Sequence, residues 1–531
     1  MTPDHRPLRS RARGQDGFTL IELLVTIVIL GVLAAIVVFS VRGIGDKGRG
    51  SAVAADAATL RTAEEAYCAK YGRYATADEL KAKGLLGGDP VYNTVVVGQE
   101  GKCGQGPNSS YTVYDAGAPT EREEQDIAVG AGPADLAVDE KTDRVYVVSG
   151  GAPSVTVIDG RTDKPVGAPV DLTSAVAGPT RVAVVPGTGK VYVGGTDGVA
   201  LVDTADGGRV TRIENFSAPV TALGIAPDTG DLYVAGGSLN TSALAYVPRG
   251  ETGAKPIALP AQGLVSASNG MDFTFDAARH AVYFAKAGIG SGTTPAAKAG
   301  LFAVSTETRQ ARTVVDFPTK TSCGTSGDLL LANTVRGRTV VDPIRNLVYL
   351  LARRCAPDGT GPEAVWKPVA TVVVVNPATG EVTQVDDPAG TPYGAVTAAY
   401  NAAVSSVYVY FSGGTHCAGS GGRVDRFVGT RPTGQAQVCA MSAAAGNHAR
   451  KMAVLGKYNR VFVAQFAAAG PGGTPGPPGG IGSSDAGTLL TGEPLGTPDQ
   501  FGALAVNEAT AKLYAVDPTA NRVVVFRTGK A

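Results

Sequence analysis

A single carboxylate interrupts the apolar stretch near the N-terminus. Residues 18–41 form an apolar run in which Glu22 is the only charged side chain. A helix of this length can cross a bilayer core of about 30 Å. An ionisable group inside hydrocarbon is costly unless it is paired, so Glu22 is a candidate functional residue that needs a partner.

The residues before this run predict its orientation. Four arginines precede it: Arg6, Arg9, Arg11 and Arg13. Basic flanking residues stay in the cytoplasm, so we expect a single-pass segment with a cytoplasmic N-terminus and an exported remainder. A secretory signal peptide has a shorter apolar core and a cleavage site after it. Here the processing signal precedes the run, at Gly17 and Phe18.

The sequence Gly-Phe-Thr-Leu-Ile-Glu at 17–22 resembles the cleavage junction of the type IV pilin and pseudopilin family. The match continues through Leu23, Leu24, Gly31, Leu33, Ala34, Ala35 and Ile36. The resemblance implies that a prepilin peptidase cuts between Gly17 and Phe18 and methylates the new N-terminus of Phe18. It also implies that Glu22 neutralises the N-terminal amine of a neighbouring subunit during assembly. The expected partners are therefore the peptidase, other pilin subunits, the pilus assembly machinery and the cytoplasmic membrane.

A helix and a turn follow the apolar run. Apolar residues near the helical period predict a helix over 51–71. The next segment, 71–80, resembles the turn that follows the long helix in many pilins and pseudopilins. Thr76, with Glu79 three residues later, is a capping-box pattern and predicts a second short helix that ends near Lys83.

Two strand-like pieces complete a small α+β head. They are Val91–Val97 and Tyr111–Tyr114. We therefore divide the chain into a prepilin leader at 1–17, a pilin-like helix and head at 18–116, and an all-β region at 117–531.

The all-β region is built of repeats that share a Val-Tyr-Val type of strand. The aromatic residues of these strands recur along the whole region: Tyr146, Tyr192, Tyr233, Tyr283, Tyr349, Tyr408, Phe462 and Tyr514. A four-stranded unit that recurs at such intervals is typical of a propeller blade. The count predicts eight blades, with seven as the alternative. A strand near 121–129 is expected to complete the C-terminal repeat, which closes the ring and removes exposed sheet edges. Residues 121–531 resemble YVTN/NHL-like surface propellers and, more loosely, lactonase and lyase propellers.

Six cysteines form three neighbouring pairs along the chain: Cys68 with Cys103, Cys323 with Cys355, and Cys417 with Cys439. An exported chain meets an oxidising environment, so disulfides are expected. Six cysteines allow fifteen pairings, and free buried thiols are the alternative. A metal site is not expected because there is no Cys-x-x-Cys motif and the four histidines do not group with the cysteines.

The repeats do not carry an enzyme signature. No Gly-x-Ser-x-Gly, Walker loop or HExxH motif occurs, and we expect no cofactor and no catalytic residue. His280 lies in a turn and is expected to be solvated. The repeated acids fit turn positions where carboxylates accept hydrogen bonds from backbone amides: Asp139, Asp159, Asp203, Asp228 and Asp342. The region is therefore predicted to bind rather than to catalyse.

Composition agrees with a large β-rich exported protein. The chain has 531 residues with 71 glycines, 33 prolines and only 6% aromatic residues. Such a composition suits many short strands and turns. The 47 basic and 47 acidic residues balance, so the propeller is not expected to bind nucleic acid. Insertions at 287–299, 355–368, 412–422 and 467–500 lengthen the loops of successive repeats.

The sequence as a whole predicts a minor type IV pilin-like subunit that displays a propeller for adhesion or ligand binding. It would pass from the cytoplasmic membrane to an extracellular pilus or the cell surface, where its ligand is unknown. Two alternatives stay open. One is a pseudopilin of a secretion or DNA-uptake system that binds cargo, and the other is a surface-anchored propeller enzyme of the lactonase or lyase kind.

Overall fold

A computed structural model describes the head and most of the repeat region. The described residues are 55–56, 58–88, 90, 93–97, 103, 111–115, 123–238, 241–259, 273–286, 299–317, 329–330, 339–358, 365–387, 395–412, 421–439, 448–456, 460–466, 480–485 and 501–527.

The head combines two helices with one hairpin. Its elements are α1 (55–56 and 58–71), α2 (Ala77–Ala82), β1 (Asn93–Val97) and β2 (Tyr111–Asp115), with β1 and β2 antiparallel. Thr76 caps α2 by accepting a hydrogen bond from the Glu79 backbone N–H at 3.3 Å. The Glu79 carboxylate pairs with Arg73 at 2.9 Å. The Thr76 backbone N–H also donates to the Glu79 carboxylate, so both halves of the predicted capping box are present.

Eight antiparallel sheets occur in the described part of 123–527. Sheet 1 contains β4 (Pro133–Asp139), β5 (Arg144–Ser149), β6 (Ser154–Asp159), β7 (Lys164–Pro165) and β8 (Val170–Asp171). Sheet 2 contains β9 (Arg181–Val185), β10 (Lys190–Gly194), β11 (Val199–Asp203) and β12 (Arg209–Arg212). Sheet 3 contains β13 (Val220–Ile225), β14 (Leu232–Ser238), β15 (Thr241–Val247) and β16 (Lys255–Pro256). Sheet 4 contains β17 (Thr274–Asp276), a 3₁₀ turn (Ala277–Arg279), β18 (Ala281–Lys286), β19 (Ala299–Ser305) and β20 (Ala311–Phe317).

The remaining sheets follow in chain order. Sheet 5 contains β21 (Leu329–Leu330), β22 (Thr339–Asp342), β23 (Leu347–Asp358), β24 (Val365–Val375) and β25 (Val382–Asp386). Sheet 6 contains β26 (Ala395–Asn401), β27 (Ser406–Ser412), β28 (Gly421–Val428) and β29 (Arg431–Cys439). Sheet 7 contains β30 (His448–Leu455), β31 (Arg460–Phe466) and β32 (Gly480–Asp485). Sheet 8 contains β33 (Leu504–Asn507), β34 (Lys512–Asp517), β35 (Arg522–Arg527) and, as its outer strand, β3 (Glu123–Ala128).

The first and last parts of the region share one sheet. β3 pairs antiparallel with β35, so that Glu123 lies opposite Arg527 and Ala128 lies opposite Arg522. The chain then passes from β3 directly into β4, the inner strand of sheet 1. The sheets are therefore arranged as in a β-propeller, whose ring closure removes sheet edges.

The apolar core lies between the sheets. Each of the eight apolar clusters of this region contains side chains of two consecutive sheets. Tyr146 of sheet 1 packs in one cluster with Val191 of sheet 2, and Tyr514 of sheet 8 packs in another with Val145 of sheet 1. All eight aromatic residues of the repeated strands are less than one-tenth exposed and lie on the second strand of their sheets. Their burial supplies the main attraction between neighbouring sheets.

The turns between strands reuse one hydrogen-bonding pattern. Four of the five predicted turn acids accept hydrogen bonds from backbone N–H groups two or three residues ahead: Asp139, Asp159, Asp203 and Asp342. Asp228 differs, because its carboxylate is hydrogen-bonded to two side chains of the next sheet, those of His280 and Thr306. The fifth residue of several of these turns is left-handed, with φ of 53° at both Asp143 and Asp163.

Candidate binding face

The long connections of the propeller leave from one face. Because successive strands are antiparallel, the links from second to third strands and from one sheet to the next start at the same side. We call this side the loop face, and the opposite side, with the tight turns, the turn face. The insertions at 287–299, 355–368 and 412–422 lie between the second and third strands of sheets 4 to 6 and overlap the ends of those strands, and 467–500 begins after the second strand of sheet 7. The expectation that all of 467–500 lengthens a loop is wrong, because Gly480–Asp485 forms β32. The described ends of the connections between second and third strands therefore lie at the loop face, where a rigid scaffold commonly presents binding residues.

One insertion is a strand extension rather than a loop along its described length. β23 and β24 have 12 and 11 residues, and they stay paired from Val348–Val375 to Asp358–Val365. The expectation that the whole of 355–368 is a loop is therefore wrong, because 355–358 and 365–368 continue the sheet. At 3.3 Å per residue, four extra residues extend this hairpin arm by about 13 Å. Trp366, the only tryptophan of the chain, lies opposite Pro357 on the arm.

A short strand from the preceding connection supports the arm. β21 pairs antiparallel with β23, so that Leu329 lies opposite Arg354 and Leu330 lies opposite Arg353. This gives the base of the arm a third strand at the loop face.

An ionic cluster joins the base of the arm to the next sheet. Arg354 pairs with Asp386, which also accepts a hydrogen bond from Thr371 Oγ1 at 2.9 Å. The next residue, Asp387, lies 2.7 Å from the Arg423 guanidinium of sheet 6. Buried ionic groups are tolerated where opposite charges and hydrogen bonds satisfy them. The cluster therefore holds sheets 5 and 6 in one relative position.

Arg423 is enclosed on several sides. Its side chain is 5% exposed and pairs with Asp425, which is 3% exposed. The guanidinium also lies 4.8 Å from the centre of the Phe411 ring, within cation–π range. Burial raises the pKa of the Asp425 carboxyl, although the adjacent Arg423 opposes this shift. Sequence reasoning did not find these residues, because Asp387 and Arg423 are 36 positions apart and form no local motif.

The inner strands carry irregularities at the rim of the central channel. The register shifts at the start of β4, β13, β26 and β30, in each case beside the loop face. Such β-bulges re-aim side chains and are frequent next to functional sites. At this rim Asp135 of sheet 1 pairs with Lys451 of sheet 7 at 2.9 Å. The rim thus presents a charged pair that bridges across sheet 8.

The predicted processing and assembly residues lie outside the described residues. This holds for Gly17, Phe18, Glu22 and the apolar run 18–41, and also for Cys323 and Cys417. Within the described ranges, no helix is long and apolar enough to cross a membrane. No group of histidine, cysteine or acidic side chains in those ranges has the arrangement of a metal site.

The head has a covalent and a polar link between its elements. A disulfide joins Cys68 of α1 to Cys103, with their Cα atoms 5.6 Å apart. Glu64, also on α1, is fully buried, and its Oε2 accepts a hydrogen bond from the Ala75 N–H at 3.0 Å. Its Oε1 is buried and has no hydrogen-bond partner among the described residues. Burial raises the pKa of Glu64 to about 7.

Comparison with known proteins supports the interpretation of the N-terminus. Residues 12–38 match the prokaryotic N-terminal methylation motif. The chain is 39% identical over 69 residues to type II secretion system core protein G of Klebsiella michiganensis. That match covers 13% of this chain and 49% of the relative, so it spans about half of the relative's length.

Two solved structures align with about three quarters of this chain. The Cps50 (Swd1) β-propeller domain of Myceliophteria thermophila has a TM-score of 0.44 at 10% identity, covering 76% of this chain and all of that one. Hydrazine synthase of Kuenenia stuttgartiensis has a TM-score of 0.42 at 13% identity, covering 75% of this chain and 96% of that one. The methylation motif and the sheet arrangement together define a pilin-like N-terminal module joined to a β-propeller.

Proposed function

We propose that this chain is a minor type IV pilin-like subunit that displays a non-catalytic propeller for adhesion or ligand binding. The observation that carries the proposal is the methylation motif at 12–38 on the same chain as a propeller with one insertion-rich face. In this proposal the peptidase cuts after Gly17, and Phe18 becomes the methylated N-terminus. Glu22 then pairs with the N-terminal amine of a neighbouring subunit, which offsets the cost of a carboxylate in hydrocarbon.

The loop face is the proposed recognition surface. The hairpin arm and the ionic cluster of Arg354, Asp386, Asp387 and Arg423 hold it rigid, which lowers the entropic cost of binding. The charged groups of that cluster are engaged with one another, which favours a structural role over catalysis. The proposed number of blades is eight rather than seven, and the eight sheets and eight intersheet clusters among the described residues support it.

A pseudopilin of a secretion system is the second candidate. The likeness to a core protein of a type II secretion system favours it. The proposed localisation is common to both candidates: a cytoplasmic-membrane segment with the propeller on the outer side. The two candidates differ in whether the assembled protein appears on the cell surface.

Substitution at Glu22 tests assembly. In the native host, Glu22→Ala should abolish incorporation into sheared surface filaments or into an isolated pseudopilus, while the melting temperature of the propeller stays unchanged. Trp366→Ala is the matched control, because it changes the arm and should leave incorporation intact. Normal incorporation of the Glu22→Ala variant would contradict the assembly proposal. Recovery of the wild-type chain in sheared surface filaments favours a pilus, and its recovery only with the envelope favours a secretion pseudopilus.

A further inference from the structure

A recurrent position on the turn face joins neighbouring sheets. The turn between the first and second strands of a sheet ends in a left-handed residue, and the first partner is the residue that follows it. The second partner belongs to the next sheet, where it is the left-handed residue of the turn after the third strand. At the junction of sheets 8 and 1, these residues are Lys512 and Asp163, 2.8 Å apart. At the junction of sheets 3 and 4, they are Asp231 and Arg309, which also form an ion pair. Both junctions are thus filled by opposite charges.

The junction of sheets 1 and 2 has only half of such a pair. Arg144 follows the left-handed Asp143 and corresponds to Lys512, but the residue that corresponds to Asp163 is Gly207. Gly207 has φ of 62°, and a Cβ added to it would meet nothing within 4 Å. The Arg144 side chain is half-buried and forms no hydrogen bond or ion pair with any described residue. A guanidinium without an anion is poorly satisfied in such a position.

A cleft of about 530 Å³ occupies this junction. Its lining includes Arg144, Thr204, Gly207 and the apolar side chains of Val166 and Val170. A smaller opening of about 330 Å³, lined by Ala281 and Pro377, lies at the junction of sheets 4 and 5, where the position following the left-handed turn also lacks a charge. Two of the junctions that lack the ion pair thus have a cleft on the turn face.

The other polar groups of the larger cleft are already engaged. The Asp171 carboxylate accepts hydrogen bonds from Thr173 N at 2.9 Å and Thr173 Oγ1 at 2.7 Å, and these bonds lower its pKa. The Thr204 hydroxyl donates to the Gly189 carbonyl at 2.6 Å. Arg144 is therefore the donor that the cleft offers to a ligand, beside a wall that contains Val166, which is 40% exposed.

We propose that this cleft binds a carboxylate on Arg144, in the place that Asp163 fills at the junction of sheets 8 and 1. A guanidinium can donate two parallel hydrogen bonds to the two oxygens of a carboxylate. The apolar wall suits a short hydrocarbon body on the same ligand. The ligand class is thus a small organic acid with an apolar portion. The site lies on the turn face and does not depend on the proposed role of the loop face.

The test uses the full-length chain in detergent and sodium butyrate as the probe. The melting temperature of the propeller is measured by calorimetry as butyrate replaces chloride at constant ionic strength. A ligand that binds only the folded state raises the melting temperature in a saturable way, by about 2 °C at tenfold excess over its dissociation constant. We expect this rise in the wild-type protein.

Three variants locate the effect. Arg144→Gln should abolish the butyrate-dependent rise. Gly207→Asp should raise the melting temperature without butyrate, because it recreates the Lys512–Asp163 arrangement, and should also abolish the butyrate effect. Lys190→Gln is the matched control, since Lys190 holds the same position in sheet 2 but pairs with Asp203 at 3.1 Å. It should keep the full rise. A butyrate-dependent rise that persists in Arg144→Gln, or no saturable rise in the wild type, overturns the proposal.

Discussion

Lys512 Nζ lies 2.8 Å from both carboxylate oxygens of Asp163, across the junction where the last sheet of the propeller meets the first. The two side chains are 9% and 0% exposed, and Arg527 approaches the same carboxylate at 3.0 Å. The Gln125 amide of β3 donates to the Asp163 carbonyl at 3.0 Å. One residue of sheet 1 thus contacts three strands of sheet 8, which holds the ring closed without a covalent bond.

Lys512→Met should destabilise the propeller by about 3 kcal/mol, because removal of one partner leaves a buried carboxylate with less compensation. Chemical denaturation followed by circular dichroism measures the loss. Lys190→Met is the control, since both members of its pair with Asp203 are more exposed than Lys512 and Asp163 are. An exposed pair of this kind should contribute less than about 1 kcal/mol. Equal losses in the two variants would show that burial of the Lys512 pair has no special effect.

Glu64 makes the stability of the head depend on pH. Its pKa is raised from 4.5 to about 7, so the unfolded chain loses this proton at lower pH than the folded head does. The contribution of Glu64 to stability is therefore highest below about pH 4.5 and falls by about 3 kcal/mol as the pH rises to 7, after which it levels off. Hydrogen exchange at the Ala75 amide, which donates to Glu64, measures this change.

Glu64→Gln should remove that pH dependence and protect the Ala75 amide more strongly at pH 8, because glutamine keeps an acceptor without a charge. Asp78→Asn, at an exposed position of α2 whose charge does not act on Glu64, should leave the pH profile unchanged. A protection factor of the wild-type Ala75 amide that stays constant between pH 5 and pH 8 would contradict the assignment.

Tyr349 links two sheets through its hydroxyl group. The O–H donates to the Gly429 carbonyl of sheet 6 at 2.6 Å, and the side chain is 1% exposed. Tyr349→Phe should cost about 1 to 3 kcal/mol, because the buried carbonyl loses its donor. Tyr192→Phe is the matched control, since the Tyr192 hydroxyl forms no hydrogen bond with the described residues. The loss of unfolding free energy in Tyr349→Phe minus the loss in Tyr192→Phe gives the contribution of the hydrogen bond. Equal losses in the two variants would contradict this contribution.

The repeated strands could be recognised from sequence because their pattern is local. An aromatic residue between β-branched neighbours marks a buried second strand, as at Tyr146, and Thr76 marks the start of α2. The ionic contacts could not be recognised in this way. Lys512 and Asp163 are 349 positions apart, and nothing near either residue indicates the other. Asp228 and Asp139 occupy similar turns, yet only Asp228 is hydrogen-bonded to a histidine of the next sheet, because that depends on the residue at 280.

The paired strands also bear on the cysteines of the loop face. Cys355 is adjacent to Arg354, which lies opposite Leu329, and Cys323 is six residues before Leu329. In sheet 6, Cys439 lies opposite Gly421, which is four residues after Cys417. Six residues of extended chain reach about 20 Å and four reach about 13 Å, so each partner can come within the Cα separation that a disulfide requires.

Peptide mapping without reduction should therefore recover Cys323–Cys355 and Cys417–Cys439, together with Cys68–Cys103. In the Cys355→Ser variant, alkylation should appear at Cys323 and not at Cys417, because the two bonds belong to different sheets and do not exchange partners. Alkylation of Cys417 in this variant, or a bond between the two pairs in the wild-type protein, would contradict the assignment.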